Sequence, residues 1–296
     1  MIATIQKMPM INEITDSWVR LRQIRNHGLH KFTPKVPIHF KVGSLVLKTV
    51  TEKYELIEAL KLRYEIFFEE MQGKTKKGGI DSDAFDAICD HLVIVDTKTD
   101  RIVGTYRLNC SKFSTKFYSA DEFQMDRLLR DPHIKVELGR ACIHKNFRRG
   151  TVISLLWRGI AEYMNQTGAQ YLFGCGSVKT TSSYESALVF QYLKEEGRLS
   201  LRFPCPTTFR FTMPGLTEEI EKLKSGLTDA QRDQAKALIP ALLHSYLKAG
   251  VEICGEPAWD ADFQCIDFLV LLDRSRLNGV HSKRYSVETG TVLLQP

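Results

Sequence analysis

The 296-residue chain is predicted to be an α/β or α+β protein built on a central mixed sheet. Short apolar runs of strand length alternate with longer stretches whose apolar residues recur every three or four positions, the helical period. Two of the runs, His91–Asp96 and Ile102–Leu108, are joined by the polar turn Thr97-Lys-Thr-Asp100. That is an antiparallel hairpin, which rules out a purely parallel sheet. Composition agrees: 43% apolar and 26% charged residues belong to an ordinary globular chain, not to a disordered or low-complexity one.

In chain order, Ile11, Ile14, Trp18, Leu21 and Ile24 form one stripe of a helix over 11–27, with Arg20, Arg22 and Arg25 beside it and Gly28 as its stop. Such a helix either packs on the domain or lies on an anionic membrane, Trp in the interface and Arg toward the headgroups. The prolines near Lys35–Ile38 suggest a linker. The expected layout is therefore a helix and linker over 1–42 and one domain over 43–296. Gly43–Val50 reads as a strand. Thr51 is expected to cap a helix over Glu52–Met71 with Leu56, Leu60, Tyr64, Phe67 and Met71 buried, and Gln72–Asp83 reads as a mobile loop. Val136–His144 and Gln170–Val178 read as strands, with a helix over Val152–Gln166 between them. Tyr184–Glu196 is a further helix. Helices starting at Thr217, Thr228 and Pro240 make an insertion over about 217–249, with a capping box at Thr228 and Gln231. Val251–Cys254 and Asp267–Leu272 close the fold as strands.

Charge and cysteine content narrow the function. With 41 basic and 35 acidic residues the net charge is +6, a mild excess that suits an anionic membrane, a phosphate-bearing ligand or an acidic carrier protein. The basic residues do not interleave with aromatics, which disfavours nucleic acid. Seven cysteines without a CxxC pair indicate neither a disulfide framework nor a zinc knuckle; the reading is a reducing, cytoplasmic compartment and no metal. No secretory h-region and no bilayer-length apolar stretch is visible.

No P-loop, GxGxxG, GxSxG or HExxH motif is present. The conspicuous feature is charge in elements expected to be buried. Glu137 and Arg140 interrupt the apolar strand Val136–Ile143, where Gly139 permits a bulge that could bring them together. They are either a buried ion pair or functional groups. Arg107 lies mid-strand, and Arg63 flanks an apolar helix face. Each alone reads as a snorkelling arginine, but together they are harder to dismiss. In the acidic run, Asp81 and Asp83 read as a solvated loop, whereas Asp90, abutting a buried strand, is a functional candidate. His144-Lys-Asn-Phe-Arg-Arg-Gly150, opening a helix, has the makings of an anion site formed by Arg148, Arg149 and Gly150.

The order of strand, Glu-Leu-Gly-Arg, basic glycine turn, helix and strand resembles the GNAT acyltransferase superfamily. More closely, Leu62–Met71, Phe85–Leu92, Val103–Arg107, Phe117–Phe123, Glu137–Arg140, Leu155–Gly159, Leu172–Cys175, Cys254–Asp260 and Asp267–Asp273 resemble the bacterial ornithine-lipid-type N-acyltransferases, which are related to acyl-homoserine-lactone synthases. The resemblance covers roughly residues 45–275. It implies a mostly antiparallel central sheet flanked by helices, with Arg63, Asp90, Arg107, Glu137 and Arg140 in the family's Arg, Asp, Arg and Glu-x-x-Arg pattern. It also implies transfer of a 3-hydroxyacyl chain from acyl carrier protein to the α-amine of ornithine, giving lyso-ornithine lipid. In the GNAT pattern the glycine turn holds the pantetheine pyrophosphate, and the strand containing Gly176 splays to admit the pantetheine arm. This turn departs from the usual Q/R-x-x-G-x-G/A, with Phe147 and Val152 at its ends. That favours the acyl-phosphopantetheine of a carrier protein, with no tightly bound cofactor, over coenzyme A.

The expected chemistry makes Glu137 the general base, acting through a water, and Arg107 and Arg140 holders of the acceptor carboxylate or organisers of the pocket. Strand N–H groups near Ile143 or Gly176 would take the oxyanion. Competing readings are an acyl-homoserine-lactone-type synthase using S-adenosylmethionine, a synthase acylating lysine, glycine or glutamine, and a non-catalytic lipid- or carrier-binding protein.

Overall fold

The computed structural model describes residues 9–148 and 150–276. In chain order its elements are α1 (Pro9–Asn26), β1 (His39–Val42), β2 (Leu45–Thr49), α2 (Lys53–Tyr64), β3 (Asp90–Asp96), β4 (Arg101–Cys110), α3 (Asp126–Arg130), β5 (Lys135–Ile143) and α4 (Thr151–Thr167). There follow β6 (Tyr171–Val178), α5 (Ser183–Glu195), α6 (Leu216–Leu223), α7 (Asp229–Leu238), α8 (Ala241–Lys248), β7 (Glu252–Ile253), β8 (Ala258–Asp260) and β9 (Cys265–Asp273). The chain forms two compact units, Met1–Asn109 with Arg140–Gln166 and Cys110–Gly139 with Thr167–Pro296.

In the first unit β1, β2, β3 and β4 pair antiparallel in sequence order. The β3–β4 hairpin is as expected, and its register sets His91 opposite Arg107. α4 lies on this sheet with little clearance. A Cβ on Gly104 would come within 2.7 Å of Val152, and one on Gly159 within 2.6 Å of Leu92, so both glycines are needed for the approach. Leu29, Phe32, Val50, Leu56, Ala59, Leu60, Ile80 and Val93 form a core under α2.

In the second unit β5 runs parallel to β6 for only three residue pairs, Lys135↔Tyr171 to Glu137↔Phe173. β6 continues to Val178 paired antiparallel with β9. β7 and β8 add to β9, also antiparallel. The sheet is thus mixed and mostly antiparallel, as predicted. Phe117, Phe123, Leu128, Tyr171, Phe173, Phe203 and Leu269 belong to the core of this unit. The helical insertion is present as α6, α7 and α8, with the Thr228–Gln231 capping box formed.

Several local expectations change. The Lys35–Ile38 segment is no free linker, because Val36 and Ile38 are buried and the Val36 carbonyl accepts from Thr49 Oγ1 at 2.7 Å. Just beyond it β1 forms, which the short polar run His39–Lys41 gives little sign of. Glu52, not Thr51, caps α2, through a reciprocal box with Glu55. The helix then widens into a π-helical segment, Glu65–Glu70. The extra residue per turn rotates the apolar stripe, so Ile66 is buried and Met71 is exposed. On α1 the side chains of Ile11 and Ile14 lie outside the described ones; Trp18 and Leu21 are exposed and Ile24 packs against the first core.

The glycines of β6 allow close packing within the second unit. A Cβ on Gly174 would lie 2.2 Å from the Leu138 carbonyl oxygen, and one on Gly176 would lie 3.0 Å from Val270 and 3.2 Å from Leu243. The backbone approach they permit is the protein's own. Replacement of Gly174 by Ala must push β5 from β6, and we expect a loss of about 1–3 kcal/mol in chemical denaturation; an unchanged midpoint would show that the strands can part freely there.

Candidate active site

Three arginines predicted to sit in core elements meet three aspartates in the first unit. Arg63, 1% exposed on α2, donates from Nε to Asp81 Oδ2 at 2.8 Å and from its two terminal nitrogens to Asp86 at 2.6 and 3.3 Å. Arg107 on β4 donates to both oxygens of Asp83, at 2.6 and 2.7 Å, and to Asp86 Oδ1 at 3.0 Å. Arg140 on β5 reaches Asp83 Oδ2 at 3.1 Å and lies 3.5 Å from Asp81 Oδ2. Its backbone is left-handed, at φ 52°, so the break in the strand falls at Arg140 and not at Gly139. A capping box, Phe85 N to Asp83 Oδ1 and Asp83 N to Asp86 Oδ2, folds the acidic loop into place. Burial opposes ionisation of Asp86, but Arg63 and Arg107 outweigh it and hold the carboxyl far below the usual range; Asp83 is lowered for the same kind of reason, with Arg107 foremost among its neighbours.

Asp81 and Asp83 are therefore not a solvated loop. Asp81 is buried, Asp83 is half-buried, and both are counter-charges to the arginines. Asp86, to which sequence reasoning assigned no role, is the hub. The available signal was charge balance: buried arginines require buried anions, and residues 81–90 supply the nearest dense acidic run. Asp90 takes other partners. Its Oδ1 accepts from Lys35 N at 2.7 Å and its Oδ2 from the Tyr163 hydroxyl at 2.8 Å, which ties the 33–38 segment and α4 to β3. Burial raises its pKa.

Glu137 belongs to the second unit and is aligned by the turn at 118–119. Tyr118 N donates to Oε2 at 3.0 Å, while Ser119 N and Ser119 Oγ donate to Oε1 at 2.7 and 2.8 Å. Beside it, Cys175 Sγ lies 3.5 Å from Ser119 Oγ and 3.6 Å from Glu122 Oε2. The donor atoms of Glu122, Cys175 and Asp267 all fall within 4.8 Å of one another, as do those of Asp260, Cys265 and Asp267. Burial, then the carboxylates of Glu122, Asp267 and Glu137, keep the Cys175 thiol well above its ordinary pKa. Cys175 is therefore a protonated thiol and a poor nucleophile. This set suits a cationic group. Ser119, Glu122 and Asp267 were visible only as parts of apolar-flanked segments, with no pattern that marked them individually.

The basic turn before α4 is a 3-10 turn over Lys145–Phe147, followed by Gly150 at φ 92°, a conformation that favours glycine. Arg148 donates to the Ile143 carbonyl at 2.9 Å and forms a two-pronged pair with Glu70, at 2.5 and 2.8 Å. Its charge is thus already matched by an acid at the end of the π-helical segment. Arg149 lies outside the described residues. Gly176, on β6, packs against β9 and α8.

Residues 62–158 match the family described as an acetyltransferase (GNAT) domain, the class that the mixed sheet and the glycine turn before α4 define. Over 273 residues the chain is 30% identical to an L-ornithine N(alpha)-acyltransferase of Rhizobium meliloti (strain 1021), covering 84% of this chain and 87% of the relative. A relative of the same name from Brucella abortus (strain 2308) is 28% identical, with 84% and 91% covered. Among solved structures, a CoA-dependent acyl-homoserine lactone synthase with SAM and isopentyl-CoA is 16% identical, covers 80% of this chain and 84% of its own, and has a TM-score of 0.46. The chain belongs to the L-ornithine N(alpha)-acyltransferase family. It is an acyltransferase.

The network has a pH signature. His91 Nε2–H donates to the Asp86 carbonyl at 3.0 Å; burial, opposed by Asp86 and reinforced by Arg63 and Arg107, pushes its pKa down to about 4. An unfolded His titrates near 6.5, so between these values the unfolded chain binds the extra proton and stability falls as pH falls. We expect a loss of roughly 3 kcal/mol from this residue between about pH 6.5 and pH 4, followed below about 3.8 by the loss carried by Asp83 and Asp86. Denaturation across that range, comparing the protein with His91→Asn, should show a flatter upper limb in the variant; identical curves would show that His91 does not titrate with folding.

Proposed function

We propose that this acyltransferase moves a 3-hydroxyacyl chain from the phosphopantetheine of acyl carrier protein to the α-amine of ornithine, releasing lyso-ornithine lipid. The observation that carries the acceptor side is the convergence of three buried carboxylates, Glu137, Glu122 and Asp267, around Cys175. An anionic seat of this kind suits an acceptor with two amines, one ammonium held while the other reacts. The family's named acceptor supports the same choice.

In the reaction the neutral amine attacks the thioester carbonyl, the C–N bond forms and the C–S bond breaks. A free α-amine has a pKa of about 7.7–8.0, so only modest assistance is needed to deprotonate it. Glu137, oriented by its three hydrogen bonds, takes the proton through a water, and the departing thiolate recovers it. Strand N–H groups near Ile143 or Gly176 stabilise the oxyanion. Cys175, held as a thiol, forms no acyl intermediate. Arg63, Asp90, Arg107 and Arg140 act as positioning residues. Arg148, passing from Glu70 to the donor phosphate, and Arg149 recognise the carrier protein's phosphopantetheine and acidic surface. Because the product is an amphiphile, the enzyme works at the cytoplasmic face of a membrane. No helix among the described residues is long and apolar enough to cross one.

The test is purified protein with ornithine and either the 3-hydroxyacyl carrier protein or the matching coenzyme A ester, read by mass spectrometry of the product. Lyso-ornithine lipid from the carrier donor, with Glu137→Gln slowing turnover about 10²–10⁴-fold, is expected. Equal use of both donors removes the carrier reading, and a Glu137→Gln enzyme within threefold of the parent leaves Glu137 a structural role.

The acceptor seat has its own test. Glu122→Gln combined with Asp267→Asn should raise KM for ornithine at least about tenfold while changing that for the acyl donor little, the pattern of a lost ground-state contact. A fall in kcat alone would place these carboxylates in support of Glu137 instead.

A further inference from the structure

One face of α1 has no use in the reaction. At 100° per residue, Trp18, Leu21, Arg22 and Arg25 fall on a single arc of about 100°, and all four are exposed, Trp18 by 69% and Leu21 by 57%. The helix is not loose. Its opposite face is fastened to the first unit at Gly78, whose carbonyl accepts from Arg20 Nε at 2.8 Å and whose N–H donates to Asp16 Oδ1 at 3.3 Å. Gly78 lies so close beneath the helix that a Cβ there would meet Gln23 and Val19. The loop making this attachment carries three further exposed cations, Lys74, Lys76 and Lys77. The result is a helix anchored on one face, with a large aromatic and a leucine outward on the other, flanked by arginines.

We propose that this face of α1 docks onto the surface of an anionic bilayer, with Trp18 and Leu21 entering the interface and Arg22 and Arg25 meeting lipid phosphates. Charge complementarity selects the occupant. Trp prefers the headgroup boundary, where its ring is half-solvated and its N–H finds a partner. Each basic residue near the surface adds attraction that salt screens. Asp16, which would oppose that attraction, is turned away to Gly78. The biological purpose of such docking rests on the lipid-forming reading above, since an amphiphilic product made at the bilayer surface can enter it directly; the docking itself is measurable without catalysis.

The full-length protein is mixed with phosphatidylcholine vesicles with or without phosphatidylglycerol. Of the three tryptophans, Trp157 is buried and Trp259 is partly so, which makes Trp18 the principal solvent-exposed reporter. On phosphatidylglycerol vesicles we expect flotation, a blue shift of the emission and protection from iodide, all weakened by salt. Arg22→Glu with Arg25→Glu should lower the partition coefficient at least about tenfold, and Trp18→Asp should do the same, while acyl transfer assayed with soluble donor and no vesicles stays that of the parent. That vesicle-free assay separates failure of docking from failure of the acyl-transfer reading. The double arginine variant alters only exposed side chains, so it decides the matter even if Trp18→Asp does not fold. Binding that is equal on uncharged vesicles, is unchanged in the arginine variant, or is lost through Phe209→Asp, the most exposed aromatic among the described residues of the second unit, overturns the proposal. So does an arginine variant that binds vesicles normally but raises KM for the acyl carrier protein, which would make this face a protein dock.

Discussion

The guanidinium of Arg63 has almost no contact with water, and it can exist there only because Asp81 and Asp86 accept hydrogen bonds from its N–H groups. Much of the first unit follows from this constraint. Asp86 must sit where two arginines converge, so the 81–86 segment folds into its capping box. Arg107 must point from β4 to the same spot, and that fixes the face of the β3–β4 hairpin that turns inward. His91, opposite Arg107 in the register, then lies under the loop and is kept neutral. Arg140 joins from β5 at the expense of an unfavourable backbone conformation. With three cations and three anions the cluster carries no net formal charge, which is the condition under which so many charges can leave water. Removing one partner leaves the others buried and unmatched, typically a loss of about 3–5 kcal/mol.

The second unit solves the opposite problem. Glu137, Glu122 and Asp267 are gathered with two backbone N–H groups, the hydroxyls of Ser119 and Ser177 and the Cys175 thiol among their partners. Hydrogen bonds of this kind fix the orientation of a carboxylate. The two environments differ in kind: the acids of the first unit face arginines, whereas Glu137 accepts from backbone N–H groups and a serine hydroxyl. The family's Glu-x-x-Arg pattern spans both, with Glu137 in the second group and Arg140 in the first.

Reading the sequence was most successful where one signal dominated. The hairpin, α4, β6, α5 and the Thr228 cap are all set by local periodicity or capping chemistry, and they fall within a residue or two of expectation. Charges inside apolar strands drew attention to Glu137, Arg107 and Arg140, because burial makes such charges costly without partners, and each has hydrogen-bonded partners in the structure. What stayed hidden was pairing. Asp81, Asp83 and Asp86 look like any acidic loop until the fold brings arginines from α2, β4 and β5 onto them, and strict strand alternation says nothing about a left-handed residue at 140. The π-helical segment after Tyr64 was likewise invisible, since a single extra residue per turn leaves no local mark but shifts every later side chain by about 100°. The close packing at Gly174 was also hidden, since only the fold brings the Leu138 carbonyl into the space a side chain there would need.

The electroneutrality of the Arg63–Asp86 cluster also constrains how such a protein can diverge. A lineage that replaces one arginine passes through a form with an unbalanced buried charge and a folding deficit comparable to the whole stability margin of many domains. The passable routes change a cation and an anion together, or first accumulate stability elsewhere. Glu137 in the second unit is free of that toll, because exchanging a carboxylate held by N–H groups for its amide alters charge without stranding an opposite one. Glu137 can therefore be replaced at less cost to folding than any member of the arginine scaffold.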